Sequence, residues 1–327
     1  MERFRKQLAS ALALGMLMPQ VMLNIASLGN SSQTVPEQTL GPTETVTQPP
    51  AEKVTYLPVL TDGAVVRVMA LEEYILGVVL AEMPASFETE ALKAQAVVAR
   101  TYALRRLTLG DRHGAVAICT DSACCQAYIS EADYLKTMGD QVDIDKIRLA
   151  VSETAGQVLT FGGELAEATY FSCSGGRTED AQAVWGEAIS YLQAVDSPGE
   201  ENAENYSAAI YFTAAEFSAA LGRTLEGSPE SWFGKASYTD GGGVATMFVG
   251  GISYSGTELR QKLGLNSTAF AVTADSSGIT VTTRGKGHRV GMSQYGADAM
   301  AMAGSTYAEI LAHYYPGTVI DNFSEMG

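Results

Sequence analysis

Residues 71–103 read LEEYILGVVLAEMPASFETEALKAQAVVARTYA, and this stretch decides the fold. Its first part repeats apolar side chains every three or four residues, which predicts an amphipathic helix over residues 71–83. Pro84 ends that helix, because a proline disfavours the helical conformation of the residue before it. The pattern resumes after Ser86, a suitable N-cap, and predicts a second helix over residues 87–107. The middle of this second helix is apolar on almost every side, which indicates that it is buried.

Glu82 is the first candidate for chemistry. It continues the apolar spacing of the first helix and lies in its last turn, where the helix dipole is negative. Burial and the dipole both raise the pKa of a carboxyl group, as suits a general acid at neutral pH. The alternative is an ordinary, partly exposed glutamate at a helix end. On the second helix, Arg100 follows Lys93 by seven residues on the same apolar face, and a buried cation there requires an anionic partner.

The rest of the body mixes helical and strand patterns without regular β-α alternation. This predicts an α+β fold, in which helices and antiparallel strands form a substrate cleft, rather than a doubly wound sheet. Residues 157–161 and 166–171 flank Gly162 and Gly163 and are interpreted as the two strands of a hairpin. The folded region is expected to span residues 54–327, a length that leaves room for two subdomains.

The chain before residue 54 has the pattern of a membrane-anchored protein. Residues 1–29 join a basic start to two apolar runs separated by Pro19, together about 20 residues and roughly enough to span a bilayer. We interpret them as an uncleaved anchor that places the body outside the cytoplasm; a cleaved signal and a buried amphipathic helix are the alternatives. Residues 30–53 are rich in Thr, Pro and Gln and lack core-forming side chains, which predicts a flexible, disordered linker.

The composition restricts the class of protein. The 327 residues carry 37 acidic and 21 basic side chains, a net charge of −16, and 46% of them are apolar. An acidic surface argues against a nucleic-acid-binding protein, whose surface is expected to be basic. No Gly-x-Ser-x-Gly and no His-Glu-x-x-His occurs, so serine-esterase and common metalloprotease chemistry are poor interpretations.

Three thiols form a candidate metal site. Cys119, Cys124 and Cys125 lie within seven residues of one another, and Cys173 follows farther on. Such a group can hold structural zinc, with Cys173 or water as the fourth ligand. In an exported protein a disulfide is the competing interpretation, and free thiols are the third.

A glycine-rich segment, residues 285–296, reads GKGHRVGMSQYG and carries His288, Gln294 and Tyr295 towards a predicted helix. It is not a phosphate-binding loop, because no Gly-Lys-Ser/Thr follows and the glycine spacing misses the dinucleotide fingerprint. A single histidine in such a loop is either structural or part of a site.

Three segments together resemble the stage II sporulation protein D (SpoIID/LytB) family. They are residues 71–103, residues 174–179 (SGGRTE) with Trp185 beyond, and residues 287–297 (GHRVGMSQYGA) followed by 307–315. They occur in the family's order, and the resemblance extends from about residue 54 to the C-terminus.

The resemblance implies a membrane-anchored lytic transglycosylase. Such an enzyme cuts the MurNAc–GlcNAc bond of peptidoglycan glycan strands, preferably peptide-stripped, and leaves a 1,6-anhydro-MurNAc end. In endospore formers, the enzyme degrades the septal wall during engulfment. The family's catalytic acid falls on Glu82 and its essential arginine on Arg100. We expect the glycan to contact a further set of residues, namely Lys93, Tyr191, His288, Gln294 and Tyr295.

The resemblance also implies partners and a location. The body would lie on the wall side of the cell membrane, held by a single span, and would work with a wall amidase and a membrane scaffold protein of the engulfment machinery. The reaction requires no cofactor, although some members bind zinc through a Cys-x4-His-Cys element; here Cys124 stands where His is usual. Gln193 stands where Lys is frequent, so activity could be weaker. The rival function is a non-catalytic, wall-binding enhancer of a separate amidase, and a zinc hydrolase is a distant third.

Overall fold

The computed structural model describes residues 54–63, 65–110, 112–114 and 116–325. The expected anchor (1–29) and linker (30–53) lie outside these residues. Among the described helices, none has both the length and the apolar character needed to cross a bilayer. The described part mixes helices with mainly antiparallel sheets, as the sequence predicts.

Nine α-helices of five to 21 residues lie in the described part of the chain. In chain order they are α1 (Leu71–Glu82), α2 (Thr89–Leu109), α3 (Glu131–Thr137), α4 (Gln141–Glu153), α5 (Ala181–Trp185), α6 (Ala214–Leu221), α7 (Gly256–Leu263), α8 (Gln294–Met302) and α9 (Tyr307–Tyr314).

The strands are short, and several contain only two residues. In chain order they are β1 (Tyr56–Thr61), β2 (Val65–Ala70), β3 (Ile118–Cys119), β4 (Gln157–Phe161), β5 (Glu164–Leu165), β6 (Tyr170–Phe171), β7 (Ser207–Phe212), β8 (Phe233–Tyr238), β9 (Val244–Val249), β10 (Ile252–Ser255), β11 (Phe270–Asp275), β12 (Gly278–Arg284), β13 (Met292–Ser293) and β14 (Val319–Asn322).

Helices α1 and α2 lie in the larger hydrophobic core, which also contains buried residues of α4, α8, α9 and β4. Helix α2 is buried through most of its length, as its composition predicts. The predicted cap, however, is wrong. Ser86 lies in an exposed turn, the helix begins at Thr89, and the backbone N–H of Glu88 donates to Asp298 Oδ1 at 2.7 Å. A carboxylate from α8 therefore binds the backbone of the N-cap residue of α2, a contact that local sequence does not reveal.

The predicted hairpin is only half correct. Strand β4 does turn through Gly162 and Gly163, but it pairs with the short β5. Strand β6 instead pairs in parallel with β13, so that Tyr170 faces Met292 and Phe171 faces Ser293. This long-range pairing places the residues that follow β13 beside β6, which decides the composition of the site described below.

A second hydrophobic core lies within residues 207–284, around Phe217, Trp232 and Val281. It meets the larger core at a buried ion pair, in which Arg289 Nη1 lies 3.1 Å from Glu179 Oε1. The same Glu179 oxygen accepts from the backbone of Gly243 at 2.9 Å, and Arg289 Nη2 donates to the carbonyl of Gly241 at 2.7 Å. Because Gly241 and Gly243 belong to the β8–β9 turn, this pair ties that hairpin to the loop that carries His288.

Candidate functional site

Glu82 is the last residue of α1 and is half-buried. Three groups from distant parts of the chain donate hydrogen bonds to its carboxylate. The backbone N–H of Ala127 and the hydroxyl of Tyr170 lie 2.8 and 3.4 Å from Oε1. The amide Nε2 of Gln294 lies 3.3 Å from Oε2. All three partners are uncharged, so the carboxyl group sits among oriented dipoles rather than in an ion pair.

Burial raises the pKa of the Glu82 carboxyl above its ordinary value, and this is the largest influence on it. The hydrogen bonds from Ala127, Gln294 and Tyr170 act in the opposite direction, because they stabilise the carboxylate, but they do not offset the desolvation. A half-buried carboxyl group with a raised pKa holds its proton to a higher pH than an exposed glutamate does. A carboxyl group of this kind is suited to general acid catalysis.

Tyr170 and Gln126 are members of the site that the sequence did not single out. Gln126 is buried, and its Nε2 donates to the Tyr170 hydroxyl at 2.9 Å. Burial and the nearby charge of Glu82 raise the pKa of Tyr170 well above 10, so this hydroxyl stays neutral and keeps its proton. No local motif marks either residue, because their contacts depend on the pairing of β6 with β13 and on the fold of the cysteine loop.

Of the residues expected to bind the glycan, Gln294 is brought directly to Glu82. Tyr295 packs edge-on against Phe87, with 5.0 Å between ring centroids. His288 lies between two aromatic rings, Phe171 and Trp185, at 5.6 and 5.5 Å. Burial, with Arg260 acting in the same direction, lowers the pKa of His288 to about 4, so its imidazole is neutral at physiological pH.

Arg100 is not brought to Glu82. It is fully buried, and its guanidinium makes a bidentate pair with Glu72, at 2.8 Å from Nε to Oε1 and 2.6 Å from Nη2 to Oε2. Its remaining donors reach backbone carbonyls of α2, α4 and β4. Glu72 and Glu82 stand ten residues apart on α1, about 15 Å along the helix axis. The required anionic partner exists, but it is Glu72 at the other end of the helix.

Lys93 and Tyr191 are also occupied by contacts within the fold. Lys93 Nζ lies 2.8 Å from Glu90 and 2.8 Å from Glu153, and so joins α2 to α4. The hydroxyl of Tyr191 accepts from the backbone N–H of Glu167 at 2.8 Å, and its ring is buried. Both side chains therefore have partners within the fold, and their predicted contact with glycan stays a prediction. Gln193, by contrast, is exposed and bonds the carbonyl of Ser190.

The cysteine cluster contains a fourth donor that the sequence interpretation missed. The Sγ atoms of Cys119, Cys124 and Cys125 and a ring nitrogen of His113 all lie within 4.8 Å of one another. His113 Nε2 is 3.4 Å from Cys125 Sγ and 3.8 Å from Cys124 Sγ. The fourth potential donor is thus an imidazole, and Cys173 does not belong to this group. A search for histidines within a dozen residues of the thiols would have found it.

Cys173 lies elsewhere. It is buried, and its Sγ–H donates to Glu200 Oε2 at 3.1 Å. Burial and the Glu200 carboxylate raise the pKa of this thiol to about 12, so it is unreactive at neutral pH. All four cysteines of the chain are free thiols in the structure. Three thiols and one imidazole at these separations form the donor set that tetrahedral zinc prefers.

Comparison with known proteins identifies the family. A family model described as "Stage II sporulation protein" matches residues 61–161, which include α1, α2 and the cysteine cluster. The chain is 45% identical to stage II sporulation protein D of Bacillus subtilis (strain 168) over 255 residues, which cover 76% of this chain and 74% of that protein. It is 37% identical to stage II sporulation protein D of Bacillus amyloliquefaciens over 297 residues, 89% of this chain and 85% of that protein.

A more distant relative has a different name. The chain is 29% identical to the amidase enhancer of Bacillus subtilis (strain 168) over 301 residues, 76% of this chain and 40% of that protein. The identity is higher with the sporulation proteins, and the matches cover more of those proteins' own length. On these findings, the chain belongs to the stage II sporulation protein D family.

Proposed function

We propose that this protein is a lytic transglycosylase that cleaves the MurNAc–GlcNAc bond of peptidoglycan with Glu82 as its only acid–base group. Membership of the family supports a role in sporulation and suggests a cell-wall-acting enzyme. The observation that carries the finer proposal is the environment of Glu82: a carboxyl group with a raised pKa, held by uncharged donors alone. Glycosidases that use water pair two carboxylates, whereas an intramolecular displacement needs one.

The reaction has two proton transfers. Protonated Glu82 gives its proton to the glycosidic oxygen, the bond from that oxygen to C1 of MurNAc breaks, and positive charge develops at C1. The resulting Glu82 carboxylate then takes the proton of the C6 hydroxyl as O6 bonds to C1. The products are a 1,6-anhydro-MurNAc end and a free GlcNAc hydroxyl, no water is consumed, and Glu82 is again protonated.

The neighbours of Glu82 suit both halves of this cycle. Desolvation favours the protonated form of the carboxyl group, which is the form that donates to the glycosidic oxygen. The donors Ala127, Tyr170 and Gln294 then stabilise the carboxylate that forms, and their fixed directions mean that little reorganisation is needed at that moment.

We also propose a setting for the reaction, which the resemblance to the family implies. The substrate is glycan on the wall side of the cell membrane, reached from an anchor in residues 1–29, with a wall amidase removing stem peptides first and a membrane scaffold protein holding the assembly. In this account the protein acts on septal wall during engulfment.

A second candidate function is enhancement of a separate amidase without cleavage of glycan, which the similarity to an amidase enhancer favours. A wall-binding enhancer has no need of a protonated carboxyl group among directed donors. Incubation of the purified protein with intact and peptide-stripped glycan strands separates the two functions. Release of soluble fragments from the stripped strands supports the enzyme; binding to both without release, from a folded sample, supports the enhancer.

We also propose that His113, Cys119, Cys124 and Cys125 hold a structural zinc ion. Four protein donors complete a tetrahedral shell, so the ion has no open position for substrate and its role is to fix the loop that carries its ligands. A cavity of about 430 Å³ borders the cluster, which gives chelators and metal ions access to it.

Removal of this metal is expected to lower stability. We predict one zinc per chain, and a fall in Tm of about 5–10 °C on chelation, because a ligand at 100 times its Kd contributes about 2.7 kcal/mol. Cys124→Ser should lose the metal, whereas Cys173→Ser should retain it, since Cys173 bonds Glu200 instead. Elemental analysis and thermal unfolding check this. A metal-free wild-type protein in which Cys119, Cys124 or Cys125 forms a disulfide would contradict it.

A further inference from the structure

The segment formed by Gln126 and Ala127 connects the metal-binding cluster to the candidate acid. It follows directly on Cys124 and Cys125 in the chain. Ala127 gives its backbone N–H to Glu82 Oε1 at 2.8 Å, and Gln126 gives a side-chain N–H to the Tyr170 hydroxyl at 2.9 Å. This segment therefore supplies one of the three donors to Glu82, the N–H of Ala127, and contacts a second one, the hydroxyl of Tyr170, through Gln126.

Gln126 determines where the Tyr170 proton points. A tyrosine hydroxyl has one proton and rotates to suit its partners. When Gln126 Nε2 donates to the hydroxyl, its proton is left for Glu82 Oε1, 3.4 Å away. The opposite orientation of the Gln126 amide would draw that proton away from Glu82. In the orientation that the structure shows, the buried Oε1 atom of Gln126 has no donor among the described residues.

Both ends of the segment are fixed. On the N-terminal side, the backbone N–H groups of Cys124 and Cys125 both donate to the carbonyl of Asp121, at 3.0 and 2.7 Å, which forms a tight turn at the cluster. On the C-terminal side, Ile129 donates to the carbonyl of Gly77 on α1 at 3.1 Å. The position of Ala127 relative to Glu82 therefore depends on the cluster at one end and on α1 at the other.

We infer that the four-donor cluster positions the catalytic acid, with Gln126 as a positioning residue that directs the Tyr170 hydroxyl to Glu82. The inference rests on the proposed function only in calling Glu82 the acid; the geometry itself is independent of the reaction. A loose cluster frees the segment, and Glu82 then loses the donors that stabilise its carboxylate.

The test is a titration of the Glu82 carboxyl carbon by NMR, which requires no cleavage of glycan. Glu82→Gln assigns the resonance. Gln126→Leu and Tyr170→Phe should each raise the titration midpoint by about 0.5–1 pH unit, because each removes donation to the carboxylate. Among the described residues, Tyr74 and Tyr170 are influenced by the charge of Glu82, and burial raises the pKa of both well above 10, so both stay neutral throughout this range.

Two comparisons distinguish positioning from a general loss of structure. In the Tyr170→Phe background, Gln126→Leu should add little to the shift, since its effect passes through the hydroxyl that is already absent. Gln95→Leu is the matched control: Gln95 is buried and neither of its amide atoms has a partner among the described residues. This control should leave the midpoint unchanged.

Chelation of the metal should raise the same midpoint and speed hydrogen exchange of the Ala127 amide, at a temperature where circular dichroism shows a folded protein. In active protein, the alkaline limb of the rate profile should move with the midpoint.

An unchanged midpoint in both single variants, or equal shifts from Gln126→Leu in both backgrounds, would overturn the positioning role. Unchanged Ala127 exchange after zinc removal would overturn the role of the cluster. Shifts without any glycan cleavage would uphold the positioning and refute the proposed function instead.

Discussion

Glu82→Gln is expected to abolish glycan cleavage while leaving the fold intact. General acid–base catalysis contributes about 10²- to 10⁴-fold per proton transfer, and the proposed reaction sends both transfers through this one side chain. The loss should therefore lie at the upper end of that range. Because glutamine has nearly the same shape and can accept from Ala127 and Tyr170, thermal stability should change little. Rates of fragment release and thermal unfolding measure the two effects.

Glu73→Gln provides the matched control on the same helix. Glu73 is exposed on α1, so the same change of charge there should leave cleavage within about twofold of the wild type, since surface substitutions usually shift stability by less than about 0.5 kcal/mol. Equal losses in both variants would indicate an effect of net charge on glycan binding. Full activity in Glu82→Gln would remove Glu82 from the mechanism.

Loss of the Arg100–Glu72 pair is expected to destabilise the protein rather than to impair chemistry selectively. The side chain of Arg100 is 0% exposed and that of Glu72 is 39% exposed. Glu72→Ala strands a buried cation, which costs about 3–5 kcal/mol, whereas Arg100→Met leaves Glu72 near water and should cost less. Denaturant unfolding measures both. Glu72→Ala should cost more than Arg100→Met because Arg100 is fully buried, whereas Glu72 can still be hydrated when its partner is removed.

The exposed pair between Arg148 and Glu131, whose side chains are 48% and 43% exposed, is the control. Its removal should cost less than about 1 kcal/mol. If Arg100→Met were as stable as the wild type yet failed to cleave glycan, Arg100 would take part in the reaction, as the essential arginine that the family resemblance implies, and its structural role would be wrong.

What the sequence could predict was governed by local periodicity and local chemistry. The spacing in residues 71–103 predicted α1 closely, and the position of Glu82 on its apolar face correctly predicted the direction of its pKa shift. The predicted burial of Arg100 also indicated that it needs an anionic partner. It did not indicate which carboxylate that partner is. Both Glu72 and Glu82 lie on α1, and only the packing of α2 on α1 decides between them.

What the sequence could not predict depends on contacts between distant segments. Tyr170 reaches Glu82 because a two-residue strand pairs in parallel with another more than a hundred residues later, and such short strands carry no usable periodicity. Gln126 reaches Tyr170 because a loop folds around its cysteines. His113 lies close to the cysteines in the sequence, but the spacing of the cysteines alone does not identify it as a donor.

The most direct test of the central claim is the chemistry of the new glycan ends. Peptide-stripped strands are digested with the full chain in ¹⁸O-labelled water, and the fragments are analysed by mass spectrometry, with Glu82→Gln as the blank. The account predicts 1,6-anhydro-MurNAc ends that carry no label and that are absent from the variant's digest. Reducing ends that carry ¹⁸O would show that water, and not the C6 hydroxyl, attacks C1, and would contradict it.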